Sequence, residues 1–246
     1  MCQLCEKKPV YEFTNKRKLC SRCFVNWFHK KVLYTIRKFK MIKRGDVIAY
    51  ENKSDYKSVV LENVLKMYSE KGEVNILKLS ANLFSQVNKN KLTKNPSINK
   101  IHSTKNFPIN HLNKSVSDSE HKLWEGGRDS VSGSRVGWER FIKQNKIKIA
   151  IPSTTDSEAN EIAHILIQDK SSKLKQHSPM VRNVIKPLYL FLDKEVLLYA
   201  KLKKLKHKKQ NIKNDKISNF INELEQKHPE VKRAIISSWL KLKGID

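Results

Sequence analysis

The clearest folding signal lies in residues 45–80, with the sequence GDVIAYENKSDYKSVVLENVLKMYSEKGEVNILKLS. The apolar run 46–50 predicts a buried strand, and the polar residues 51–57 predict a turn. Apolar residues then recur at helical spacing before a second apolar run at 74–80 predicts another strand. A strand, a helix and a strand of these lengths form a βαβ unit, which favours a parallel sheet with a right-handed crossover. The predicted fold class is therefore α/β.

A long polar segment separates this unit from the later elements. Residues 81–122 are rich in Asn, Lys and Ser and too long for an ordinary connection, so we interpret them as an insertion. Beyond it, the patterns predict a helix around 138–144, a strand at 147–151 and a helix from Thr155. A strand at 184–191 follows, and Pro187 places it at an edge or a bulge of the sheet. A helix capped by Asp193 and helices at about 216–227 and 230–243 complete the chain. Thr155 and Glu158 are interpreted as a capping box, and a catalytic pair of Asp156 and Glu158 is the less favoured alternative.

All four cysteines lie near the start of the chain, as Cys2-x-x-Cys5 and Cys20-x-x-Cys23. Two such pairs can present four thiolates to one tetrahedral Zn²⁺, although the interval between them is slightly shorter than in most zinc ribbons. Two disulfides are the alternative, which a reducing intracellular compartment disfavours. We therefore predict an N-terminal zinc ribbon with these four ligands, which leaves no cysteine for catalysis.

The chain is strongly basic. Its 246 residues include 50 Lys and Arg against 24 Asp and Glu, a formal net charge of +26, while 39% of the residues are apolar. A chain with enough apolar residues to fold and with this charge predicts a polyanionic partner, nucleic acid first. No apolar run approaches the ~18 residues of a membrane span, and a metal-like motif at the second residue does not fit a cleaved signal. We expect a cytoplasmic protein that does not bind membranes.

Two basic segments are candidates for contacts with RNA phosphates. One is the flank of a helix that begins near Phe24, and the other is the lysine run that follows the helix after Asp193. The predicted contacts are Lys30, Lys31, Arg37, Lys38, Lys203, Lys204, Lys206, Lys208 and Lys209. A solvated charged surface is the ordinary alternative, and the interleaved aromatic residues, such as Trp27 and Trp239, belong more often to a core than to a stacking platform.

Several short motifs occur in a distinctive order along the chain. The two cysteine pairs are followed by Thr35-Ile36-Arg37-Lys38, Met41-Ile42-x-x-Gly45-Asp46-x-Ile48-Ala49, Thr155-Asp156-Ser157-Glu158-Ala159-Asn160, Ile185-Lys186-Pro187-Leu188 and Glu195-Val196-x-x-Tyr199-Ala200. This order resembles the tRNA 2-thiolation ATP pyrophosphatases, the PP-loop family, and within them the archaeal and eukaryotic cytosolic uridine-thiolation branch. The resemblance covers most of the chain apart from residues 81–128. It implies a Rossmann-like parallel sheet and an enzyme that adenylates the 2-carbonyl oxygen of a tRNA uridine, releases pyrophosphate and replaces the oxygen with sulfur.

The sequence departs from this family where its chemistry occurs. The family's ATP loop has the form Ser-Gly-Gly-x-Asp-Ser, in which glycines let backbone N–H groups approach phosphate. Residues 52–58 are Asn-Lys-Ser-Asp-Tyr-Lys-Ser, so we interpret them as an ordinary turn and assign no nucleotide-binding residue. Residues 125–130, Glu-Gly-Gly-Arg-Asp-Ser, match the loop better but follow no predicted strand. The family's central cysteines are also absent, so the sequence predicts Zn²⁺ but neither ATP nor an iron–sulfur cluster.

These observations predict a degenerate, non-catalytic member of the family. Its expected regions are 1–40, the zinc ribbon with its basic helix; 41–200, a degenerate PP-loop domain with the insertion 81–128; and 201–246, basic C-terminal helices. The predicted role is a tRNA-binding or scaffold subunit in uridine 2-thiolation, paired with a catalytic paralogue in a heterodimer. Two alternatives remain: an ATP-dependent tRNA-thiolating enzyme with an atypical nucleotide loop, and a general RNA-binding zinc protein.

Overall fold

The computed structural model describes residues 1–70, 74–81, 147–209 and 215–245. The elements in chain order are strands β1 (Tyr11–Glu12) and β2 (Lys18–Leu19), helix α1 (Ser21–Lys38), strand β3 (Val47–Glu51), helix α2 (Tyr56–Glu70), strands β4 (Asn75–Leu79) and β5 (Lys148–Ala150), helix α3 (Thr155–Ile167), a 3-10 helix (Ser171–His177), strands β6 (Met180–Val181) and β7 (Val184–Ile185), and helices α4 (Asp193–Leu202), α5 (Lys216–Lys227) and α6 (Val231–Leu242).

A mostly parallel sheet forms the centre of the molecule, with the strand order β4–β3–β5–β7–β6. Strand β3 pairs in parallel with β4 and with β5, and β5 pairs in parallel with β7. Strand β6 runs antiparallel to β7. In β3 the consecutive residues Ile48, Ala49 and Tyr50 are all buried, as expected for a parallel strand covered on both faces. The predicted α/β class and the β3–α2–β4 unit are confirmed.

Apolar faces of the helices close the core around this sheet. Helix α2 buries the predicted stripe Val60, Leu61, Val64, Leu65 and Tyr68. Helix α1 buries Phe28, whose ring stacks on Tyr199 of α4 with centroids 4.0 Å apart. The same hydrophobic cluster extends to Trp239 of α6. It therefore contains residues from all three predicted regions, and the division of the chain at residues 40 and 200 stays a prediction.

Three local predictions were wrong. The strand expected at residues 184–191 ends at Ile185, because Pro187 lacks an N–H group for a strand ladder and the residues that follow form turns instead. Helix α3 is capped by Thr154, whose hydroxyl accepts from the N–H of Ser157, rather than by a capping box of Thr155 and Glu158. Asp193 is the first residue of α4 and does not cap it; the Glu195 carboxylate accepts from the Leu192 N–H at 2.9 Å.

Other predictions lie outside the described residues. The insertion beyond Ala81, the helix around 138–144 and the glycine pair at 126–127 all fall within residues 82–146.

Among the described helices, none combines the length and the apolar character that a membrane crossing requires.

Candidate functional site

The four cysteines converge at the start of α1. The Sγ atoms of Cys2, Cys5, Cys20 and Cys23 all lie within 4.8 Å of one another. The hairpin of β1 and β2 creates this arrangement, since it returns the chain so that Cys20 and Cys23 at the start of α1 face the first pair. The Cys5 sulfur is 3.3 Å from that of Cys20 and 3.6 Å from that of Cys23, so the four side chains are thiols and not disulfides. The residues predicted as metal ligands are therefore brought together.

The electrostatics of this cluster favour a bound cation. Burial opposes ionisation of Cys2, but hydrogen bonds from the backbone of Leu4 and Cys20 and from the Cys5 thiol outweigh it and lower the pKa of Cys2 to about 6. The neighbouring Cys5 sulfur and burial raise the pKa of Cys23 to about 12. Four sulfurs at these distances cannot all ionise unless a positive charge compensates them. Four thiolates in a compact group suit tetrahedral Zn²⁺ and also suit an iron–sulfur cluster.

A buried carboxylate connects this ribbon to the rest of the fold. Glu195 is 0% exposed. Its carboxylate accepts from the Tyr11 hydroxyl of β1 at 3.3 Å and from the Arg233 guanidinium of α6 at 2.7 Å. The Lys31 ammonium of α1 is 3.2 Å from it and lies against the rings of Trp27 and Phe191. One side chain therefore holds three separate parts of the chain.

This network changes the interpretation of Lys31, one of the predicted phosphate contacts. Burial lowers the pKa of Lys31 to about 8, although the Glu195 carboxylate acts in the opposite direction. The Lys31 side chain is 16% exposed and its ammonium is paired with Glu195, so less of it is available to a ligand than of the other predicted lysines. Contact of Lys31 with RNA stays a prediction.

A second site is expected where the strand order changes direction. After β3 the chain adds β4 on one side, and β5 later pairs with the opposite side of β3. In open α/β sheets, ligands bind outside the carboxyl ends of the strands at such a switch point. The turns that follow β3 and β5, residues 52–55 and 151–154, border this crevice, which is the place where the sequence resemblance implies an ATP loop.

The turn after β3 satisfies its own backbone donors. The Asp55 carboxylate accepts from the N–H groups of Lys57 at 2.8 Å and Ser58 at 2.9 Å. The Asn52 amide oxygen accepts from the N–H of Ser54 at 2.7 Å, and Ser54 has a left-handed φ of 63°. The N–H groups at the start of α2, which a phosphate would need, thus already bind a carboxylate of the same turn.

Side chains of the same chain also fill the space between the two turns. The Lys57 ammonium lies 2.8 Å from the Asp193 carboxylate and donates to the Ser157 hydroxyl at 2.8 Å and the Thr154 hydroxyl at 3.3 Å. Asp156 accepts from the Asp193 N–H and from the Lys232 ammonium, each at 2.7 Å. The polar groups of this crevice are therefore paired with one another, and the pairing connects α2, α3, α4 and α6.

Glu158 belongs to a separate network behind this crevice. Its carboxylate lies 2.7 Å from the Lys186 ammonium and 3.0 Å from Nδ1 of His177, and it accepts from the Ser153 hydroxyl. Burial alone would raise the pKa of Glu158, but these partners lower it. Burial and the nearby Asp193 raise the pKa of Asp156. The two carboxylates thus have different partners, and the predicted capping box of Thr155 and Glu158 is not formed.

The remaining predicted phosphate contacts are at the surface. Lys30, Arg37 and Lys38 on α1 are exposed, and the same holds for Lys203, Lys204, Lys206, Lys208 and Lys209 after α4. Contact of these eight residues with RNA stays a prediction. Of the aromatic residues that lie among these basic residues, Trp239 is 6% exposed and Trp27 packs on Phe13, whereas Tyr34 of α1 is 54% exposed.

Comparison with solved structures shows a similarity in fold. No family model matches the chain, and no curated protein matches its sequence. The structure is similar to that of the U34-tRNA thiolase NcsA from Methanococcus maripaludis with its 4Fe-4S cluster, with a TM-score of 0.63, 18% sequence identity, and coverage of 98% of this chain and 86% of that chain. The α/β model with its mostly parallel sheet thus matches the fold of a PP-loop thiolase.

This similarity corrects the prediction about cofactors. The sequence interpretation assigned Zn²⁺ to the cysteines and excluded an iron–sulfur cluster. The structure with the similar fold carries a 4Fe-4S cluster, and the four-cysteine group has thiol ligands that suit iron as well as zinc. The exclusion of an iron–sulfur cluster was therefore wrong, and the cluster of thiols is a candidate site for either type of metal centre.

Proposed function

We propose that this chain is a tRNA-binding scaffold subunit in tRNA uridine 2-thiolation that acts beside a catalytic paralogue. The similarity of its fold to a tRNA thiolase supports a role in that process. The chain's charge of +26 supports an RNA partner. A metal centre at the four cysteines would stabilise the ribbon, which is too small to form a core of its own.

The arrangement of Lys57 and Asp193 carries the non-catalytic part of the proposal. In a PP-loop enzyme of the kind that the sequence resembles, the crevice beyond β3 and β5 has to present N–H groups and cations to phosphates. Here the Asp55 carboxylate takes up the N–H groups of α2, and Asp193 neutralises Lys57 at 2.8 Å. The same ion pair closes α4 against α2, so its main effect is to stabilise the fold rather than to hold a reacting group.

A test in the source cells separates the scaffold role from catalysis. Deletion of the chain is expected to lower the 2-thiouridine content of bulk tRNA, as measured by mass spectrometry of nucleosides. A variant with Lys57→Met and Asp193→Asn, which cannot present the crevice ammonium, is expected to restore that content. A chain that carries out the chemistry itself with residues of this crevice would fail to restore it.

The partner is tested by affinity purification of the tagged chain. We expect a PP-loop paralogue with an intact Ser-Gly-Gly-x-Asp-Ser loop to co-purify with it in amounts similar to the bait. An unchanged 2-thiouridine content in the deletion strain, together with no paralogue in the purified material, would contradict the proposal. That result would favour a general RNA-binding metal protein instead.

A further inference from the structure

The lysine-rich segment after α4 is fixed to the fold at both of its ends. At its start, Leu202, the last residue of α4, packs against the main hydrophobic cluster and borders a shallow groove with Ser21, Arg22, Val25 and Asn26 at the N-terminus of α1, next in sequence to Cys20 and Cys23. At its end, the N–H of Lys208 donates to the carbonyl of Ser54 at 2.7 Å, and Lys208 forms a parallel bridge with Asp55. The segment therefore extends from the four-cysteine ribbon to the turn after β3.

The exit of this segment from α4 is also defined. The N–H of Leu205 donates to the carbonyl of Ala200 at 2.9 Å, and that of Lys204 donates to Lys201 at 3.0 Å. Lys204 has a left-handed φ of 52°, as in the turn that commonly ends helices. A residue with a side chain at a position that favours glycine accepts some strain. The backbone direction of the segment is thus set by hydrogen bonds, and its lysines are presented from a fixed scaffold.

The charge on this segment is not compensated within the described part of the chain. Lys203, Lys204, Lys206, Lys208 and Lys209 are exposed, and no ion pair with a described carboxylate involves any of them. The lysines inside the fold behave differently: Lys57, Lys186 and Lys232 each lie within 3 Å of a carboxylate oxygen. The segment also has no exposed large apolar residue that would insert into a lipid surface.

We infer that residues 203–209, together with Arg22, form a track for the phosphates of an RNA strand that leads from the four-cysteine ribbon to the turn after β3. This inference rests on the proposed function and adds the surface and the path of the RNA. The seven residues from Leu202 to Lys208 span at most about 20 Å, which suits a stretch of about four nucleotides of one strand. A single row of lysines contacts the backbone of one strand without reading its bases, so binding tolerates sequence and weakens with salt.

The test compares two triple variants of the full chain that lose the same charge. The track variant carries Lys204→Gln, Lys206→Gln and Lys209→Gln. The control variant carries Lys170→Gln, Lys173→Gln and Lys175→Gln on exposed positions at and beside the 3-10 helix, which packs on β6 at the edge of the sheet farthest from β4. Because all six side chains are exposed, both variants are expected to keep the wild-type unfolding curve.

Binding to a labelled, unmodified tRNA transcript and to a 12-nucleotide RNA is measured as a function of salt. We expect the track variant to raise Kd about tenfold or more and to reduce the slope of log K against log salt by about 2, since each lost contact with a single strand removes about 0.7. The control variant is expected to stay within about twofold of the wild type. Equal losses in the two variants, or wild-type binding by the track variant, would refute the track while the proposed function stands. A wild-type chain that binds neither RNA would refute both.

Discussion

The four-cysteine cluster and the crevice beyond β3 and β5 differ in how their polar groups are satisfied. The cluster brings four thiols within 4.8 Å of one another. The crevice contains similarly close polar groups, but each has a partner of opposite charge or a hydrogen bond from the same chain. Groups that need an external ion to ionise together point to a ligand, whereas groups that already neutralise one another stabilise the fold. The two regions therefore differ in charge balance: the thiols need an external cation to ionise together, whereas the charges of the crevice already neutralise one another.

The largest expected effect comes from removing a ligand of the cluster. Cys20→Ser is expected to abolish stoichiometric metal binding and to unfold the hairpin of β1 and β2, because a structural zinc site supplies about 10–16 kcal/mol to a small ribbon. Metal content of the purified protein and the fluorescence of Trp27, whose ring centroid is 4.7 Å from that of Phe13, report the two events. Ser21→Ala next to the ligand is the control and should change neither. A wild-type protein without stoichiometric metal would show that the thiols are not a metal centre, and a fully folded ribbon in metal-free Cys20→Ser protein would show that the ribbon does not depend on metal.

A smaller loss is expected when the crevice is disturbed. Lys57→Met leaves the Asp193 carboxylate close to Asp156 without its cation and should lower the free energy of unfolding by about 3 kcal/mol. Urea denaturation measures this change. Lys66→Met, the same substitution on the same helix at an exposed ion pair with Glu62, should cost less than about 1 kcal/mol.

The double variant Lys57→Met with Asp193→Asn is expected to recover at least half of that loss. Recovery follows because the unpaired charge, and not the missing side chain, causes most of the cost. If Lys57→Met proves as stable as the wild type, the crevice is not held by this pair and the contrast with the cysteine cluster fails.

The ion pairs of Glu158 on α3 should make the stability of the protein depend on pH. The partners of Glu158 hold its pKa below the ordinary value, so its contribution is present above the unfolded-state pKa and is lost as the pH falls through the folded-state pKa. Glu158→Gln should cost about 2 kcal/mol at pH 7 and should flatten the acid side of the stability curve. Urea denaturation at a series of pH values from 7 down to 3 provides the measurement. An acid limb as steep as in the wild type would assign the acid sensitivity to another group.

The smallest effect concerns the link between the four-cysteine ribbon and α4. Tyr11→Phe removes one hydrogen bond to Glu195 and should lower the free energy of unfolding by about 1 kcal/mol. Metal content should not change, because the hydroxyl does not contact the cysteines. A loss of metal in this variant, measured together with thermal unfolding, would mean that the cluster depends on its docking to α4 and is not an independent unit.

Sequence alone predicted the parts that depend on local pattern. Local pattern revealed three features: the apolar run of β3, the apolar stripe of α2 at helical spacing, and the two cysteine pairs at the spacing of metal ligands. The β3–α2–β4 unit followed from the order of those elements, because a strand, a helix and a strand in sequence almost always form a parallel pair joined by a right-handed crossover. These features required no knowledge of distant contacts.

The crevice could not be predicted, because its partners are far apart in the chain. Lys57 meets Asp193, and Asp156 meets Lys232, only after the strands and helices are assembled. The same holds for Lys31, whose partner Glu195 lies 164 residues away in the chain. The sequence did offer one signal: the first turns of α3 and α4 contain four acidic residues, Asp156, Glu158, Asp193 and Glu195, a composition that repels rather than attracts phosphate.

We propose that this chain has the fold of a PP-loop thiolase, while the paired polar groups of its crevice stabilise that fold and do not bind ATP. The most direct measurement is the release of AMP and pyrophosphate when the purified, metal-loaded chain is mixed with ATP and unmodified tRNA, in the absence of any paralogue. We expect no release above the level seen without protein. Repeated turnover by the wild type that disappears in the Lys57→Met variant, with the fold intact by circular dichroism, would contradict it.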